Sequence, residues 1–206
     1  LILFGDSEAA HLFEGIKEAF PERHVMQFTG SSCRAINYSK NTRRCQIFYS
    51  LFATQIIPKL KNDDFVLISS NWWNTHRIIS EDEFATQLRE IFSNILNKTK
   101  NVFVFTNAPG FAKNPYQTLA VKFNAVSDKT VYLPSDEILS SDSIIEAVAS
   151  EMGVRSFRLS DLLCNRPTFC LFRDEKDYLF SDKGHFSYYG SVYVSEHFRK
   201  FLDKKG

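Results

Sequence analysis

The sequence predicts an α/β fold in which helices flank a mostly parallel central sheet in three layers, α/β/α. Two observations support this prediction. Short apolar segments with the length of strands recur along the chain, and longer segments with apolar residues at helical spacing separate them. This alternation of strands and helices is typical of a parallel sheet covered by helices.

The predicted elements follow from these periodicities. Five segments are predicted as strands: 1–4, 24–29, 64–69, 100–106 and 154–159. Five segments are predicted as helices: 8–20, 46–60, 80–96, 141–152 and 188–202. Pro21 ends the first helix, Ser80 and Glu83 have capping-box spacing at the start of the third, and Gly153 ends the fourth. The segment 112–132 fits a helix followed by a short strand, without a clear pattern.

Length and composition limit the possible functions. With 206 residues and 44% hydrophobic content, the chain is long enough for a sizeable core, and we predict a single domain over residues 1–206. The net charge is +1, and the 25 basic and 24 acidic residues are scattered. This predicts no surface for nucleic acid or an anionic membrane, so we expect a neutral or modestly charged substrate. No apolar run of about 18 residues is present to span a bilayer.

Four cysteines fall into two pairs that are local in sequence, Cys33 with Cys45 and Cys164 with Cys170. C-x-x-C spacing is absent and no histidine lies close enough to either pair to complete an obvious zinc site, so no metal is predicted. We predict disulfides within the two local pairs, and therefore an oxidising compartment, the periplasm or the cell exterior. The alternative is four reduced, buried thiols in a cytosolic protein.

The first predicted strand is followed by Gly5-Asp6-Ser7, and Glu8 opens the first predicted helix. Ser7 is therefore expected where strand turns into helix. Backbone N–H groups and the positive end of the helix dipole lie at such a position, and both stabilise negative charge on a substrate oxygen. The alternative is that Asp6 or Ser7 is simply the N-cap of the helix.

A second polar motif, Ser181-Asp182-Lys183-Gly184-His185, precedes the last predicted helix. Asp182 and His185 are three residues apart across a glycine, so the carboxylate can fold back to accept a hydrogen bond from the imidazole Nδ1–H. Nε2 is then the atom that takes a proton from a serine. One end of the chain thus offers a nucleophile, and the other end offers its base.

These two motifs resemble the first and last blocks of the SGNH (GDSL-like) hydrolase family. The sequence looks most like the SGNH domains fused to bacterial membrane acyltransferases of the acyltransferase-3 type. The resemblance implies a flavodoxin-like SGNH hydrolase fold in which Ser7 is the nucleophile, His185 the general base and Asp182 its orienting partner. Since the chain starts on a strand, with Leu1 rather than Met and no signal-like segment, we expect it to be an excised domain or a mature fragment. The resemblance implies that it is the C-terminal part of a longer protein, with a membrane acyltransferase domain on its N-terminal side.

The resemblance also implies an oxyanion hole built from three positions. These are the backbone N–H groups of Ser7 and Gly30 and the side chain of Asn71. Gly30 begins the polar turn Gly30-Ser31-Ser32-Cys33 after the second predicted strand, at an edge of the sheet where α/β proteins place their sites. The other interpretation of Gly30 is an ordinary turn glycine.

The third block departs from the family pattern, which is ordinarily Gly-x-Asn-Asp. By register Asn71 matches the asparagine, whereas Ser69 replaces the glycine and Trp72 replaces the aspartate. Asn74 is therefore a second candidate for the oxyanion donor. Trp72, Trp73 and Asn74 are candidate substrate-binding residues, because an indole face stacks well on a sugar ring. The alternative for the two tryptophans is a core residue beside a rim residue.

The implied reaction is acyl transfer through a serine ester to water or to a sugar hydroxyl. The implied substrate is an acyl group such as acetyl on cell-envelope or secreted carbohydrate. No cofactor is predicted, because phosphate-binding, dinucleotide-binding and metal-binding motifs are absent. One alternative is an SGNH-fold module that binds carbohydrate without turnover, and another is a flavodoxin-like fold with an incidental Gly-Asp-Ser.

Overall fold

We describe the protein from a computed structural model. The structure describes residues 1–38, 40–73, 75, 78–111, 129–131, 136–166, 169–174 and 176–204, with the backbone alone at 129–131, 136–140, 165–166 and 169. The chain divides into two compact units, each assembled from separate stretches of sequence. The first unit comprises Leu1–Ala10, Val25–Asn107 and Asp136–Phe157, and the second comprises His11–His24, Ala108–Ser135 and Arg158–Gly206.

The described residues form eight strands and seven α-helices. The strands are β1 (Ile2–Gly5), β2 (Met26–Thr29), β3 (Phe65–Ser69), β4 (Asn101–Phe105), β5 (Lys129–Val131), β6 (Arg155–Phe157), β7 (Cys164–Arg166) and β8 (Phe169–Leu171). The helices are α1 (Ser7–Ala10), α2 (Phe13–Ala19), α3 (Arg43–Leu51), α4 (Glu81–Leu96), α5 (Asp136–Met152), α6 (Leu159–Leu163) and α7 (Tyr188–Asp203). Within these ranges, no helix combines the length and the apolar character needed to cross a bilayer.

The first unit is built on a sheet of five parallel strands in the order β2-β1-β3-β4-β6. All five segments that the sequence predicts as strands belong to it, and the α/β fold with a parallel central sheet is confirmed. β1 pairs with both β2 and β3, so the strand order reverses at β1. In open α/β sheets, ligands bind outside the carboxyl ends of the strands at such a reversal. The segments after β1 and β3 therefore lie where a site is expected.

Two of the predicted helices have altered geometry. The helix predicted at 8–20 is divided into α1 and α2 by a turn at His11 and Leu12. The helix predicted at 46–60 begins as α3 and continues as a π-helical stretch, Phe52–Ile56, and a 3-10 turn, Ile57–Lys59. Pro58 lies in this last turn and has no N–H to continue an α-helical hydrogen-bond pattern.

α4 covers the sheet of the first unit with the apolar stripe that its sequence predicts. Its fully buried side chains are Phe84, Leu88, Ile91, Phe92 and Ile95. The Ser80 hydroxyl accepts a hydrogen bond from Glu83 N–H at 3.2 Å, which confirms the predicted cap. The helix begins after Ser80 because this hydroxyl satisfies one of its unpaired N–H groups.

Gly5 allows β1 and β3 to approach closely at their carboxyl ends. Its φ is +152°, and a Cβ atom at this position would lie 1.7 Å from the Ser69 carbonyl oxygen. A residue with a side chain would meet both backbone strain and a steric clash here. Glycine therefore lets the chain turn directly from β1 into Asp6 and Ser7, beside the end of β3.

The second unit contains a helix pair and a small antiparallel sheet. α2 packs against α7, and Gly15 N–H donates a hydrogen bond to Ser191 Oγ at 3.0 Å where the two helices meet. A Cβ atom on Gly15 would lie 2.1 Å from the Ser191 carbonyl oxygen, so only glycine permits this approach. The sheet has the strand order β5-β8-β7.

Both predicted disulfides are present. Cys33 pairs with Cys45 in the first unit, and Cys164 pairs with Cys170 across β7 and β8 in the second. On the loop-entropy model, each short loop closed in this way stabilises the fold by about 2–3 kcal/mol. The cysteines act as cross-links rather than as the reduced, buried thiols of the alternative.

Candidate active site

Ser7 is the first residue of α1 and follows the sharp turn at Gly5. The carboxylate of Asp6, between them, is buried, with 2% of the residue exposed. Asp6 Oδ1 accepts a hydrogen bond from Glu8 N–H at 3.0 Å, and its two oxygens lie 3.2 and 3.1 Å from Asn71 N–H. The capping role that the sequence left open between Asp6 and Ser7 therefore belongs to Asp6. The same carboxylate ties the turn that carries Ser7 to the loop after β3.

Asn71 lies in this loop and is held through its backbone on both sides. Its N–H donates to Asp6, and its carbonyl accepts a hydrogen bond from Arg34 Nε at 2.9 Å. Ser70 Oγ, next to it, accepts a hydrogen bond from Ala35 N–H at 3.0 Å. Asn71 Oδ1 is buried and has no hydrogen-bond partner among the residues that the structure describes. The fold thus fixes the backbone of Asn71 without using its side-chain amide fully.

Asp182 and His185 form the hydrogen bond that their spacing predicts. His185 Nδ1 lies 2.7 Å from Asp182 Oδ2, and Asp182 Oδ1 accepts hydrogen bonds from the N–H groups of Gly184 and His185 at 2.9 and 2.8 Å. Partial burial raises the pKa of Asp182, but these hydrogen bonds together outweigh it and hold the pKa below its usual value. Because an ionised carboxylate only accepts, Nδ1 carries the proton and Nε2 the basic lone pair.

The turn that carries this pair is anchored by backbone hydrogen bonds. Ser181 N–H donates to the His185 carbonyl at 2.8 Å, and Phe111 N–H donates to the Lys183 carbonyl at 2.7 Å. Ser187 then caps the N-terminus of α7 with its side chain. The orientation of the pair is therefore set by the fold of the second unit.

His11 is a residue of this region that the sequence analysis missed. Its Nδ1 accepts a hydrogen bond from Phe186 N–H at 3.1 Å, and its ring lies 4.5 Å from the Phe186 ring and edge-on to the His185 ring at 5.8 Å. His11 is partly exposed, but its Nε2 is buried. Burial, and next the nearby His185, lower the pKa of His11 to about 3, although Asp182 acts in the opposite direction. His11 is thus a neutral acceptor beside the Asp182–His185 pair, and no spacing rule connects it to that pair.

A sequence model of the SGNH domain, described as fused to AT3 domains, matches residues 1–200. The chain belongs to the SGNH domain family. This confirms the resemblance carried by the two end motifs. No curated protein sequence matches this SGNH domain significantly.

Solved structures share the fold of this SGNH domain at low sequence identity. The periplasmic domain of a lipopolysaccharide acetyltransferase from Salmonella ser. Paratyphi A is 17% identical with a TM-score of 0.76, over 98% of this chain and 82% of that one. The acetyl xylan esterase AlAXEase is 15% identical with a TM-score of 0.59, over 98% of each chain. Est24, a carbohydrate acetylesterase from Sinorhizobium meliloti, is 12% identical with a TM-score of 0.61, over 95% of this chain and 85% of that one. At these identities the likeness shows the fold.

Gly30 follows β2 in this SGNH domain, at the position that the resemblance assigns to the oxyanion hole. Its N–H donates to the Gly5 carbonyl at 2.9 Å, which continues the hydrogen bonding between β1 and β2. A paired N–H serves a second acceptor only by sharing or losing its first hydrogen bond. The structure therefore gives this N–H a role in joining the two strands, contrary to the oxyanion role that we expected for it.

The two tryptophans after β3 have different environments. Trp72 is fully buried, its indole N–H donates to the Phe105 carbonyl at 3.0 Å, and its ring lies 5.9 Å from Phe84. Our expectation that Trp72 binds substrate is corrected, because the residue belongs to the core. Trp73 is partly exposed and stays a candidate for substrate binding. Asn74, the other candidate in this loop, lies outside the described residues.

The structure brings together Asp182 with His185, and the turn of Ser7 with Asn71. Ser7 and Asn71 belong to the first compact unit, whereas Asp182 and His185 belong to the second. Among the described residues, no group of three or more His, Cys, Asp and Glu side chains is placed to hold a metal ion.

Proposed function

We propose that this SGNH domain is a serine-dependent acyl ester hydrolase or O-acyltransferase. Ser7 is the nucleophile, His185 is the general base, and Asp182 orients His185. The observation that carries the proposal is the 2.7 Å hydrogen bond from His185 Nδ1 to Asp182, in an SGNH domain that also has Ser7 directly after β1. A carboxylate that holds Nδ1–H makes Nε2 the basic atom, as a proton acceptor for a serine requires.

The proposed reaction begins when His185 Nε2 removes the proton from Ser7 Oγ as Oγ attacks the ester carbonyl carbon. Ser7 N–H and the Asn71 side chain donate hydrogen bonds to the oxyanion that forms. The alcohol leaves with the proton from His185, and the acyl group remains on Ser7. Water or a sugar hydroxyl then gives its proton to His185 and takes the acyl group, and His185 returns this proton to Ser7 Oγ as the acyl–Oγ bond breaks. Asn74 is the alternative donor to Asn71 in this proposal.

We infer that the substrate is an acyl group such as acetyl on a cell-envelope or secreted carbohydrate. Three structural neighbours support this class, since they are a lipopolysaccharide acetyltransferase, an acetyl xylan esterase and a carbohydrate acetylesterase. The net charge of +1 suits a substrate of low charge. Trp73 offers a partly exposed indole beside Asn71, suited to the C–H face of a sugar ring.

We place the domain in the periplasm or on the outer face of a membrane. The two disulfides support an oxidising compartment, and the Salmonella neighbour is a periplasmic domain. The family is described as fused to AT3 domains. We therefore propose that a membrane acyltransferase domain is linked on the N-terminal side and supplies the acyl group.

Hydrolysis of p-nitrophenyl acetate by purified protein tests the nucleophile. Ser7→Ala is expected to lower kcat by at least about 1,000-fold. The matched control is Ser50→Ala, which removes the hydroxyl of an exposed serine on α3 and should leave kcat unchanged. A fluorophosphonate should label the peptide that contains Ser7. Equal rates for the wild type and Ser7→Ala, or a label on another peptide, would contradict the proposal.

Addition of a carbohydrate acceptor to the assay distinguishes hydrolysis from acyl transfer. A transferase should form an acetylated sugar when a carbohydrate acceptor is added to the same assay, at the expense of free acetate. A hydrolase should release acetate at an unchanged rate. This choice depends on how the site excludes water and holds the acceptor, rather than on Ser7 and His185.

A carbohydrate-binding module without turnover is the second candidate. The observation that favours it is the third block, in which Ser69 and Trp72 replace the residues usual in the family. Such a module would bind acetylated oligosaccharide in calorimetry while Ser7→Ala changed neither its affinity nor any background rate.

A further inference from the structure

The loop that carries Asn71 is held from its other side by a buried asparagine. Asn107 follows β4 and is 4% exposed. Its Oδ1 accepts hydrogen bonds from the N–H groups of Trp72 and Trp73, at 3.0 and 2.9 Å. Two consecutive backbone amides of the loop therefore converge on one side-chain oxygen.

The orientation of the Asn107 amide is fixed by α5. Asp142, on this helix, is 2% exposed, and its Oδ1 accepts hydrogen bonds from Asn107 Nδ2 at 2.6 Å and from Asn107 N–H at 3.0 Å. Ser141 Oγ lies 3.1 Å from the same Nδ2. Because a carboxylate accepts hydrogen bonds and an amide nitrogen donates them, Nδ2 must face Asp142 and Oδ1 must face the loop.

The loop is thereby held between the ends of two strands on either side of β3. Asn71 N–H donates to Asp6, which follows β1, whereas the next two N–H groups donate to Asn107, which follows β4. The Trp72 indole N–H also donates a hydrogen bond to the Phe105 carbonyl, which ties the loop to β4 at a further point. A shift of this backbone would leave buried polar groups unpaired, each at a cost of about 1–3 kcal/mol.

We propose that Asn107, oriented by Asp142, is a positioning residue for the oxyanion-binding amide of Asn71. This inference rests on the proposed function. An oxyanion donor stabilises the transition state only when its nitrogen lies within hydrogen-bond distance of the developing charge, and loss of one donor lowers kcat by about 100–1,000-fold. Asn107 acts through the backbone of the loop, which sets the place of the Asn71 side chain.

Asn107→Asp and its rescue provide the first test. The substitution keeps an acceptor for the Trp72 and Trp73 amides but sets a second carboxylate against Asp142. We expect kcat for p-nitrophenyl acetate to fall by about 10–100-fold, with KM changed less than about 3-fold. Adding Asp142→Asn supplies a donor opposite the new carboxylate and should restore kcat to within about 5-fold of the wild type. Failure of this rescue in a folded protein would overturn the inference.

A double-mutant cycle that combines Asn107→Asp with Asn71→Ala shows whether Asn107 acts through Asn71. In the Asn71→Ala background, Asn107→Asp should change kcat by less than about 2-fold, because the donor that it positions is gone. An equal fold-change in both backgrounds would overturn the inference. If Asn107→Asp does not fold, Asp142→Ala is measured in the same cycle with the same expected non-additivity.

Tryptophan fluorescence gives a readout that is independent of catalysis. Trp72 and Trp73 are the only two tryptophans of the chain, so the emission spectrum reports on this loop alone. Asn107→Asp should shift the emission, and Asp142→Asn should reverse the shift. A loss of kcat without a shift, or a shift without a loss, would overturn the inference. If instead Ser7→Ala retains the wild-type rate, the proposed function itself fails. If Ser7→Ala is inactive but Asn71→Ala does not lower kcat, Asn71 is not the oxyanion donor and only this inference is overturned.

Discussion

Asp182 Oδ2 and His185 Nδ1 lie 2.7 Å apart within a single turn of the chain. The other carboxylate oxygen, Asp182 Oδ1, accepts hydrogen bonds from the backbone N–H groups of Gly184 and His185. Both oxygens of Asp182 are therefore held by hydrogen bonds within the same turn. The pair therefore forms from a short segment of sequence and needs no distant residue to bring its two side chains together. Its placement in the second unit adds the contact with His11.

Asp182→Asn should lower kcat for p-nitrophenyl acetate by about 100–10,000-fold with little change in KM. The amide that replaces the carboxylate favours the wrong tautomer of His185, so Nε2 loses its basic lone pair. Steady-state kinetics measure this change. Asp203→Asn, at the exposed end of α7, is the matched control and should keep the wild-type rate. A variant of Asp182 with full activity would show that His185 does not depend on it.

Asp182 should not contribute a proton to the acid limb of kcat/KM. Partial burial raises its pKa, but its hydrogen bonds outweigh this and hold the pKa below the usual value, so the carboxylate stays ionised in mildly acidic solution. The plot of log kcat/KM against pH should therefore fall with a slope no steeper than about one. A slope of two would mean that Asp182 also takes up a proton. The stability that Asp182 contributes is present above its unfolded pKa and is lost as the pH falls through its lower folded pKa.

His11 should make the fold sensitive to acid. The pKa of His11 is about 3 in the folded protein and 6.5 ordinarily, so between these values the unfolded chain binds a proton that the folded chain does not. Stability should therefore fall as the pH decreases below about 6.5, on the order of 1 kcal/mol per pH unit from this group. Urea unfolding at several pH values measures the slope.

Two variants of His11 separate its charge from its hydrogen bond. His11→Asn and His11→Phe should both remove this part of the pH dependence. Only His11→Phe also removes the acceptor for Phe186 N–H, so it should be less stable than His11→Asn by about 1–3 kcal/mol at pH 8. Equal pH slopes in the wild type and both variants would exclude His11 as the source.

Trp73→Ala should weaken the use of carbohydrate esters without weakening the chemistry. We expect KM for an acetylated oligosaccharide to rise by about 5–30-fold, because the substitution removes the ring that we propose to stack on the sugar. KM for p-nitrophenyl acetate should change little. Trp73→Phe keeps an aromatic face and should lie between the wild type and Trp73→Ala. Equal effects on both substrates would point to a general disturbance of the loop.

Removal of either disulfide should destabilise the protein. Replacing Cys33 and Cys45 together by serine is expected to lower the free energy of unfolding by about 2–3 kcal/mol, and the same change at Cys164 and Cys170 by a similar amount. Urea unfolding with and without a reductant measures both. In each double variant, the reductant should lower the free energy of unfolding by less than in the wild type, because only one disulfide remains to be reduced. An equal loss in the variant and the wild type would show that the replaced disulfide does not contribute to the effect of the reductant.

Most of the predicted elements and contacts that the structure bears out are local in sequence. The strands of the parallel sheet follow from apolar segments, the start of α4 follows from Ser80 and Glu83, and both disulfides join neighbouring cysteines. The predictions that the structure corrects depend on partners far along the chain. Gly30 N–H is paired with Gly5, and the Trp72 indole N–H is paired with Phe105.

The sequence alone determined the parallel α/β fold, the disulfides and the hydrogen bond between Asp182 and His185. These features depend on the periodicity of apolar residues and on short spacings between residues, and both can be recognised in the amino-acid sequence. Only the tertiary structure decided which of two adjacent tryptophans is buried, and that Asn107 holds the loop of Asn71. Adjacency in sequence does not show which of two similar side chains faces the core, because the packing of strands and helices that are distant along the chain decides it.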